Sequence, residues 1–207
     1  MSLERGLADG IQALQVMVAA EAQRRMLDYL ALVEKWNKAY NLTAVREQDR
    51  MLTHHVLDSL STLPHVRGGY ILDVGSGAGL PGIPLALARP DWQITLLDSS
   101  HKKAAFLRQA VIELKLDNVD VVCMRVENWK PPRQFDTVIS RAFSDLPEYL
   151  SLAGKFCMKT GLVLAMKGIY PHEELAQLPR EFRLCDVVPL HVPGLDAQRH
   201  AVLLQPV

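Results

Sequence analysis

Apolar positions along this chain fall into two regimes. Over the first third they recur at helical spacing. Leu3, Leu7, Ile11 and Leu14 mark one stripe within residues 2–17, and Met26, Leu27, Leu30, Val33 and Trp36 mark another within 19–38. Side chains three and four apart share a helix face, so both segments predict amphipathic helices. Residues 39–45 break the pattern, with Asn37 and Asn41 as turn formers. Residues 48–63 predict another helix, kinked near Asp58–Ser59, and Pro64 with the Gly68–Gly69 pair ends the region. These stripes need a partner outside the region. Residues 1–67 are therefore expected to pack as a helical extension on residues 68–207, within one domain spanning 1–207.

From Tyr70 the pattern changes. Short apolar runs near 70–74, 93–98, 119–124, 135–140 and 160–167 predict strands. Helical patterns near 80–88, 101–115, 145–155 and 172–177 lie between and after them. Such alternation predicts an α/β fold, a parallel sheet with helices on both faces. The stretches 182–190 and 200–205 read as a closing antiparallel pair.

One stretch organises the rest. Residues 70–82 read Y-I-L-D-V-G-S-G-A-G-L-P-G. An apolar strand runs into glycines at 75, 77, 79 and 82, and a helix follows. Backbone can approach a ligand closely at such a turn, and the helix start favours negative charge. The dinucleotide fingerprint is G-x-G-x-x-G, but here the third glycine comes one place early. Asp73 sits two positions before the first glycine. Asp98 ends the second strand, where a carboxylate can accept from ribose hydroxyls. Spacing alone leads to a nucleotide-like cofactor in an α/β domain.

Composition narrows the partners. The chain has 207 residues, 49% hydrophobic and 22% charged, enough to build a sizeable core. Lys+Arg and Asp+Glu are both 23. That balance argues against a generic basic coat for nucleic acid but leaves room for a local basic patch. Cys123, Cys157 and Cys185 form no C-x-x-C, and the histidines form no H-E-x-x-H, so neither a disulfide framework nor a metal is expected. Cys123 and Cys157 lie in apolar segments and should pack as small hydrophobes. With no signal-like start and no membrane-length apolar run, a cytoplasmic protein without a membrane partner is expected.

Several motifs together narrow the cofactor. Asp73–Gly79 followed by Asp98 resembles the first motif and second-strand acid of class I S-adenosylmethionine-dependent methyltransferases, which have a Rossmann-like sheet. W-N-K-A-Y-N-L-T-A-V-R (36–46), H-H-V-L-D-S-L (54–60), D-V-G-S-G-A-G-L-P-G-I-P-L (73–85), F-D-T-V-I-S-R-A-F (135–143), M-K-G (166–168) and R-H (199–200) occur in that order. Over nearly the whole chain from Leu27 this resembles the ribosomal RNA small-subunit methyltransferase G family, also called glucose-inhibited division protein B. The resemblance implies methylation of N7 of one guanine of 16S rRNA, position 527 in the usual rRNA numbering, in the 530 loop. The implied cofactor is S-adenosylmethionine. The implied partner is 16S rRNA, within the small subunit or an assembly intermediate.

Candidate residues follow. Asp73, Gly75, Gly77, Gly79, Leu80 and Asp98 are expected at the cofactor, joined by Val126 and Glu127 after the third strand. Sequence alone reads Glu127 equally well as a solvated loop carboxylate; the resemblance turns it toward the cofactor. Arg141, in the run Ser140–Phe143 after the fourth strand, is the candidate catalytic residue. It either holds the cofactor carboxylate bidentately or donates to guanine O6, and the resemblance favours the first. Phe143 reads as core or as a stacking surface. Lys102, Lys103, Lys167, Arg199 and His200 are the candidate RNA contacts, with Lys35, Lys38 and Arg46 as further basic positions. His54, His55 and Asp58 read first as a polar seam between the N-terminal helices and the sheet. Transfer to N7 displaces no proton, so alignment and electrostatics should dominate over acid–base groups. A small-molecule methyltransferase is the alternative. A nicotinamide-dependent dehydrogenase fits the glycine spacing poorly, and a non-enzymatic relic fits the intact Asp73, glycines and Asp98 poorly.

Overall fold

The computed structural model describes residues 2–141, 143 and 145–207. Three N-terminal helical stretches come first. Helix α1 (Leu3–Ala13) is capped by Ser2, whose hydroxyl accepts from the Arg5 N–H. Helix α2 (Ala20–Tyr40) ends at Asn41 in the left-handed region, φ 50°. Asn37 then secures the following turn, its Oδ1 accepting from Thr43 N at 2.9 Å and its Nδ2 donating to Val45 O. Helix α3 (Gln48–Met51), a π-helical segment over Leu52–Leu57 and α4 (Asp58–Leu60) form one continuous run. A kink was expected near Asp58–Ser59, and the residues just before it, Leu52–Leu57, are π-helical; such insertions recur at functional sites.

The sheet has seven strands: β1 (Tyr70–Val74), β2 (Gln93–Asp98), β3 (Val119–Cys123), β4 (Phe135–Arg141), β5 (Cys157–Lys167), β6 (Phe182–Pro189) and β7 (His200–Pro206). Their order is β3-β2-β1-β4-β5-β7-β6. β1 to β5 pair in parallel, and β7 runs antiparallel between β5 and β6. β5 begins three residues before the expected position because Cys157 already pairs with Phe135, ahead of a register shift towards Thr137. Helices α5 (Gly82–Ala88), α6 (His101–Glu113), α7 (Leu146–Ala153) and α8 (His172–Leu175) complete the chain.

Strand side chains alternate between faces, and the core divides accordingly. Ile71, Leu96, Ile139 and Leu164 share one buried cluster with Leu7, Met26, Leu30, Ile83 and Phe106. Their neighbours Leu72, Leu97, Val138 and Val163 share the other with Leu146, Tyr149 and Phe156. The N-terminal helices are thus part of the first core. Arg25 on α2 donates to the Leu114 and Lys115 carbonyls, and Trp36 packs edge-on against Phe106 of α6, centroids 5.6 Å apart. Cys157 is buried, which pushes its thiol up to about 12. Cys123 is only half-buried, its Sγ 3.4 Å from His101 Nδ1, so it does not pack as a core hydrophobe. Among the described residues, no helix is long and apolar enough to cross a membrane.

Candidate cofactor cleft and adjoining cationic cavity

Strand β1 delivers the chain to the carboxyl edge of the sheet, and the glycine loop turns back there. Gly75 N and Ser76 N donate to Leu97 O at 2.8 and 3.1 Å. Gly77 N donates to Asp98 Oδ2 at 2.9 Å, and Ser100 N to Asp98 Oδ1 at 2.8 Å. The buried Asp98 carboxylate therefore ties the loop after β1 to the start of α6. An ionised carboxylate has about four acceptor sites, so two backbone donors leave capacity for a ligand hydroxyl.

Below the loop lies Asp73, fully buried, its Oδ2 accepting from Gly82 N at 2.9 Å. Among the described residues its Oδ1 finds no hydrogen-bond partner. Burial pushes the Asp73 carboxyl up to about 7; the Gly82 N–H and the Arg141 charge oppose the rise. Gly79 has φ +88°, and a Cβ there would collide with Ile83. A Cβ on Gly82 would collide with Leu96 and approach Asp73. Gly77, with φ +59°, faces open space, the nearest atom to a Cβ being Gly75 O at 3.9 Å. From the other side Tyr29 of α2 donates to Ala78 O at 2.8 Å.

A cleft of about 400 Å³ opens above the loop, walled by Gly75, Asp98, Lys103, Val126, Glu127, Arg141 and Phe143 among others. Val126 and Glu127 sit on a 3-10 turn (Val126–Asn128) after β3. A hydrogen bond from its own backbone and the nearby Arg125 hold the Glu127 carboxyl below its usual range. Phe143 lies against Tyr149, centroids 5.3 Å apart. Its neighbour Ala142 falls outside the described residues. The size is within the usual range for small-ligand sites. Its chemistry, a glycine backbone, a strand-end carboxylate and an arginine, suits a nucleoside carrying an amino acid.

Arg141 lines this cleft and also a second cavity of about 320 Å³, formed with Asp58, Met166, Lys167, Gly168 and Arg199. Arg141 Nη1 donates to His54 O at 2.7 Å and Asp58 Oδ2 at 3.2 Å. Arg199 Nε donates to Asp58 Oδ1 at 3.1 Å. Of the expected seam residues Asp58 and His55 are buried, whereas the half-buried His54 ring turns its Nδ1 to Arg50 O on its own helix and only its carbonyl meets Arg141. Burial, then the Arg141 charge, brings the His55 imidazole down to about 4, and its Nε2 meets Thr43 Oγ1 at 3.0 Å.

The structure separates the expected site residues into two groups. Gly75, Asp98, Val126, Glu127 and Arg141 meet at the cleft. Asp73, Gly79 and Leu80 lie beneath it, turned into the core, and shape the loop from below. Gly77 belongs to the loop itself. The expected RNA residues also divide. Lys102 is exposed, whereas Lys103 turns inward, its Nζ 3.9 Å from Asp98 Oδ2; it is a cleft residue because the carboxylate draws it there. Lys167 pairs with Glu174 of α8 at 2.7 Å, and Glu174 also accepts from Leu146 N at 2.6 Å. Arg199 reaches the second cavity, and His200 Nδ1 lies 3.1 Å from Gly168 O. Lys35, Lys38 and Arg46 are exposed on the N-terminal helices and the turn after them. Sequence reasoning overlooked Tyr29 as a loop support; its place on the α2 apolar stripe carried the signal. Among the described residues no three His, Cys, Asp or Glu side chains are grouped to hold a metal ion.

The strand order and the glycine loop define the class I S-adenosylmethionine-dependent methyltransferase fold. A solved structure described as a SAM dependent methyltransferase from Aquifex aeolicus superposes with a TM-score of 0.55 at 18% identity, covering 84% of this chain and 97% of that one. The rRNA small subunit methyltransferase G family matches residues 22–202, and the chain belongs to that family. A relative named ribosomal RNA small subunit methyltransferase G from Nitrosospira multiformis is 55% identical over 96% of this chain and 95% of its own length. Another of the same name, from Laribacter hongkongensis, is 53% identical over 99% of both. The chain is thus a methyltransferase.

Proposed function

We propose that this enzyme methylates N7 of a single guanine in the 530 loop of 16S rRNA, position 527 in the usual rRNA numbering. When bound, S-adenosylmethionine supplies a methyl on a sulfonium, and transfer to the N7 lone pair leaves a neutral thioether and a cationic base. Asp98 accepts from the ribose hydroxyls while its backbone bonds keep the loop closed. Gly75 and Gly77 let backbone pass close to the cofactor, and Val126 and Glu127 border its adenine. Arg141 holds the cofactor carboxylate and shapes the acceptor pocket. Lys102, Lys167, Arg199 and His200 contact the RNA. N7 bears no proton, so these residues align and exclude water without having to accept one.

The observation that carries this reading is the position of Arg141, in the wall shared by the cofactor cleft and the cationic cavity. A donor there reaches cofactor and acceptor base from one place. The test is single-turnover methylation of small subunits from a strain lacking the enzyme, beside a cofactor titration. Arg141→Ala is expected to lower cofactor affinity and turnover together. Arg141→Lys should rescue little, because an ammonium cannot reproduce the planar fork. Wild-type values for Arg141→Ala in both assays would remove it from the site. Methylation of a small molecule in place of RNA would overturn the substrate.

A further inference from the structure

Beyond the second cavity, the end of β5 leaves two large apolar side chains in solvent. Ile169 is 76% exposed and Tyr170 is 38% exposed. The next residue, Pro171, is buried and anchors the turn. Two imidazoles contact the Tyr170 ring. His172 lies 4.3 Å away at 38°, and His200 5.7 Å away, nearly perpendicular. His200 is itself fixed, paired with Lys167 across β5 and β7 and with Nδ1 at Gly168 O. An exposed aromatic is thus braced by two rings on rigid elements.

The adjoining cavity carries positive charge, although Glu173 and Glu174 follow His172 and Glu174 pairs with Lys167 at 2.7 Å. Lys167 and Gly168, which precede this turn, and Arg199, which precedes His200, all line the second cavity. There Arg141 and Arg199 share the single carboxylate of Asp58, leaving one net positive charge. A π-surface beside a positive cavity matches a single-stranded nucleic acid, whose bases stack while its phosphates are neutralised.

We propose that Tyr170, braced by His172 and His200, is a stacking platform for an unpaired base flanking the target guanine. This rests on the RNA reading above. The backbone of that strand passes the Arg199 side of the cavity, and the target base enters towards Arg141. Stacking tolerates any base, so the platform adds affinity and register and leaves sequence choice to the pocket.

The test measures binding of wild type, Tyr170→Ala and Tyr170→Trp to protein-free 16S rRNA and to small subunits, both from a strain lacking the methylation, over a range of salt. Tyr170→Ala should bind roughly ten- to a hundredfold more weakly. The slope of log affinity against log salt should stay that of wild type, because a lost stack releases no counterions. Tyr170→Trp should bind close to wild type, and cofactor affinity should be the same for all three. Wild-type affinity for Tyr170→Ala, or a changed salt slope, would overturn the platform while leaving the RNA reading intact. So would a defect confined to assembled subunits, which would place a ribosomal protein on this patch. Wild-type protein that neither binds nor methylates protein-free 16S rRNA or small subunits would overturn the RNA reading itself.

Discussion

Asp58 and Arg141 meet at 3.2 Å although 83 residues separate them in sequence. The π-helical segment before Asp58 presents both the His54 carbonyl and the Asp58 carboxylate to the same guanidinium nitrogen. The N-terminal extension therefore holds Arg141 in the wall shared by the cleft and the second cavity. Asp58→Ala would leave two guanidiniums without their buried partner. Breaking a buried pair costs about 3–5 kcal/mol. Here both arginines are about a quarter exposed, 24% and 23%, and can reach water. A loss near 3 kcal/mol is expected, read as a lower urea midpoint with an unchanged slope, together with weaker cofactor binding. Full stability in Asp58→Ala would show that the arginines are held by other contacts.

The glycines of the loop should fail in different ways. Gly79→Ala drives a methyl into Ile83 at a positive φ, so its defect should be one of stability, about 1–3 kcal/mol from overpacking. Gly77→Val meets no atom closer than 3.9 Å but sets a β-branched residue at φ +59°, so it should lose cofactor affinity together with some stability from backbone strain. Thermal melts and cofactor titrations of both variants separate the two. A Gly77→Val protein with native cofactor affinity would move the ligand away from this loop.

Asp98 serves loop and ligand at once. Its carboxylate accepts from Gly77 N and Ser100 N, and Lys103 stands 3.9 Å away. Asp98→Ala should weaken binding of both cofactor and demethylated product by about 1.5–3 kcal/mol, the range for hydrogen bonds to a charged group. Unchanged titrations for both would assign Asp98 to loop closure alone.

Much of this arrangement was legible in the sequence. Short apolar runs, the glycine spacing and Asp98 located the sheet edge and its cleft, because these signals are local. The inward turn of Lys103, the core-facing position of Gly79 and the grip of Asp58 on Arg141 and Arg199 were not legible. Each depends on contacts between elements distant along the chain. Lys102 and Lys103 are adjacent and chemically identical, and only the helix phase beside Asp98 separates their roles. Tyr29 was not among the expected stripe residues, and its bond to Ala78 O joins positions 49 residues apart.

Asp73 should leave a signature in the pH dependence of stability. Its carboxyl is raised to about 7 from an ordinary value of 3.8. Between those values the folded state holds a proton that the unfolded state has released, so stability falls as pH rises through this window. His55 works in the opposite sense. Its value is lowered from 6.5 to about 4, so its contribution is lost as pH falls from about 6.5 towards 4. Asp73→Asn should remove the first slope and leave the second. Urea midpoints of wild type and variant from pH 4 to 8 give the difference curve. A flat curve would mean that Asp73 ionises at its ordinary value.

We propose that the cleft and cavity sharing Arg141 bring a methyl donor to N7 of one guanine in 16S rRNA. Mass mapping of 16S rRNA from cells with and without this protein tests it most directly. One added methyl at N7 of the guanine at position 527, present only with the protein and absent with Arg141→Ala, is the expected result. Identical maps in both cells, or a methyl on another atom or outside the 530 loop, would contradict the account.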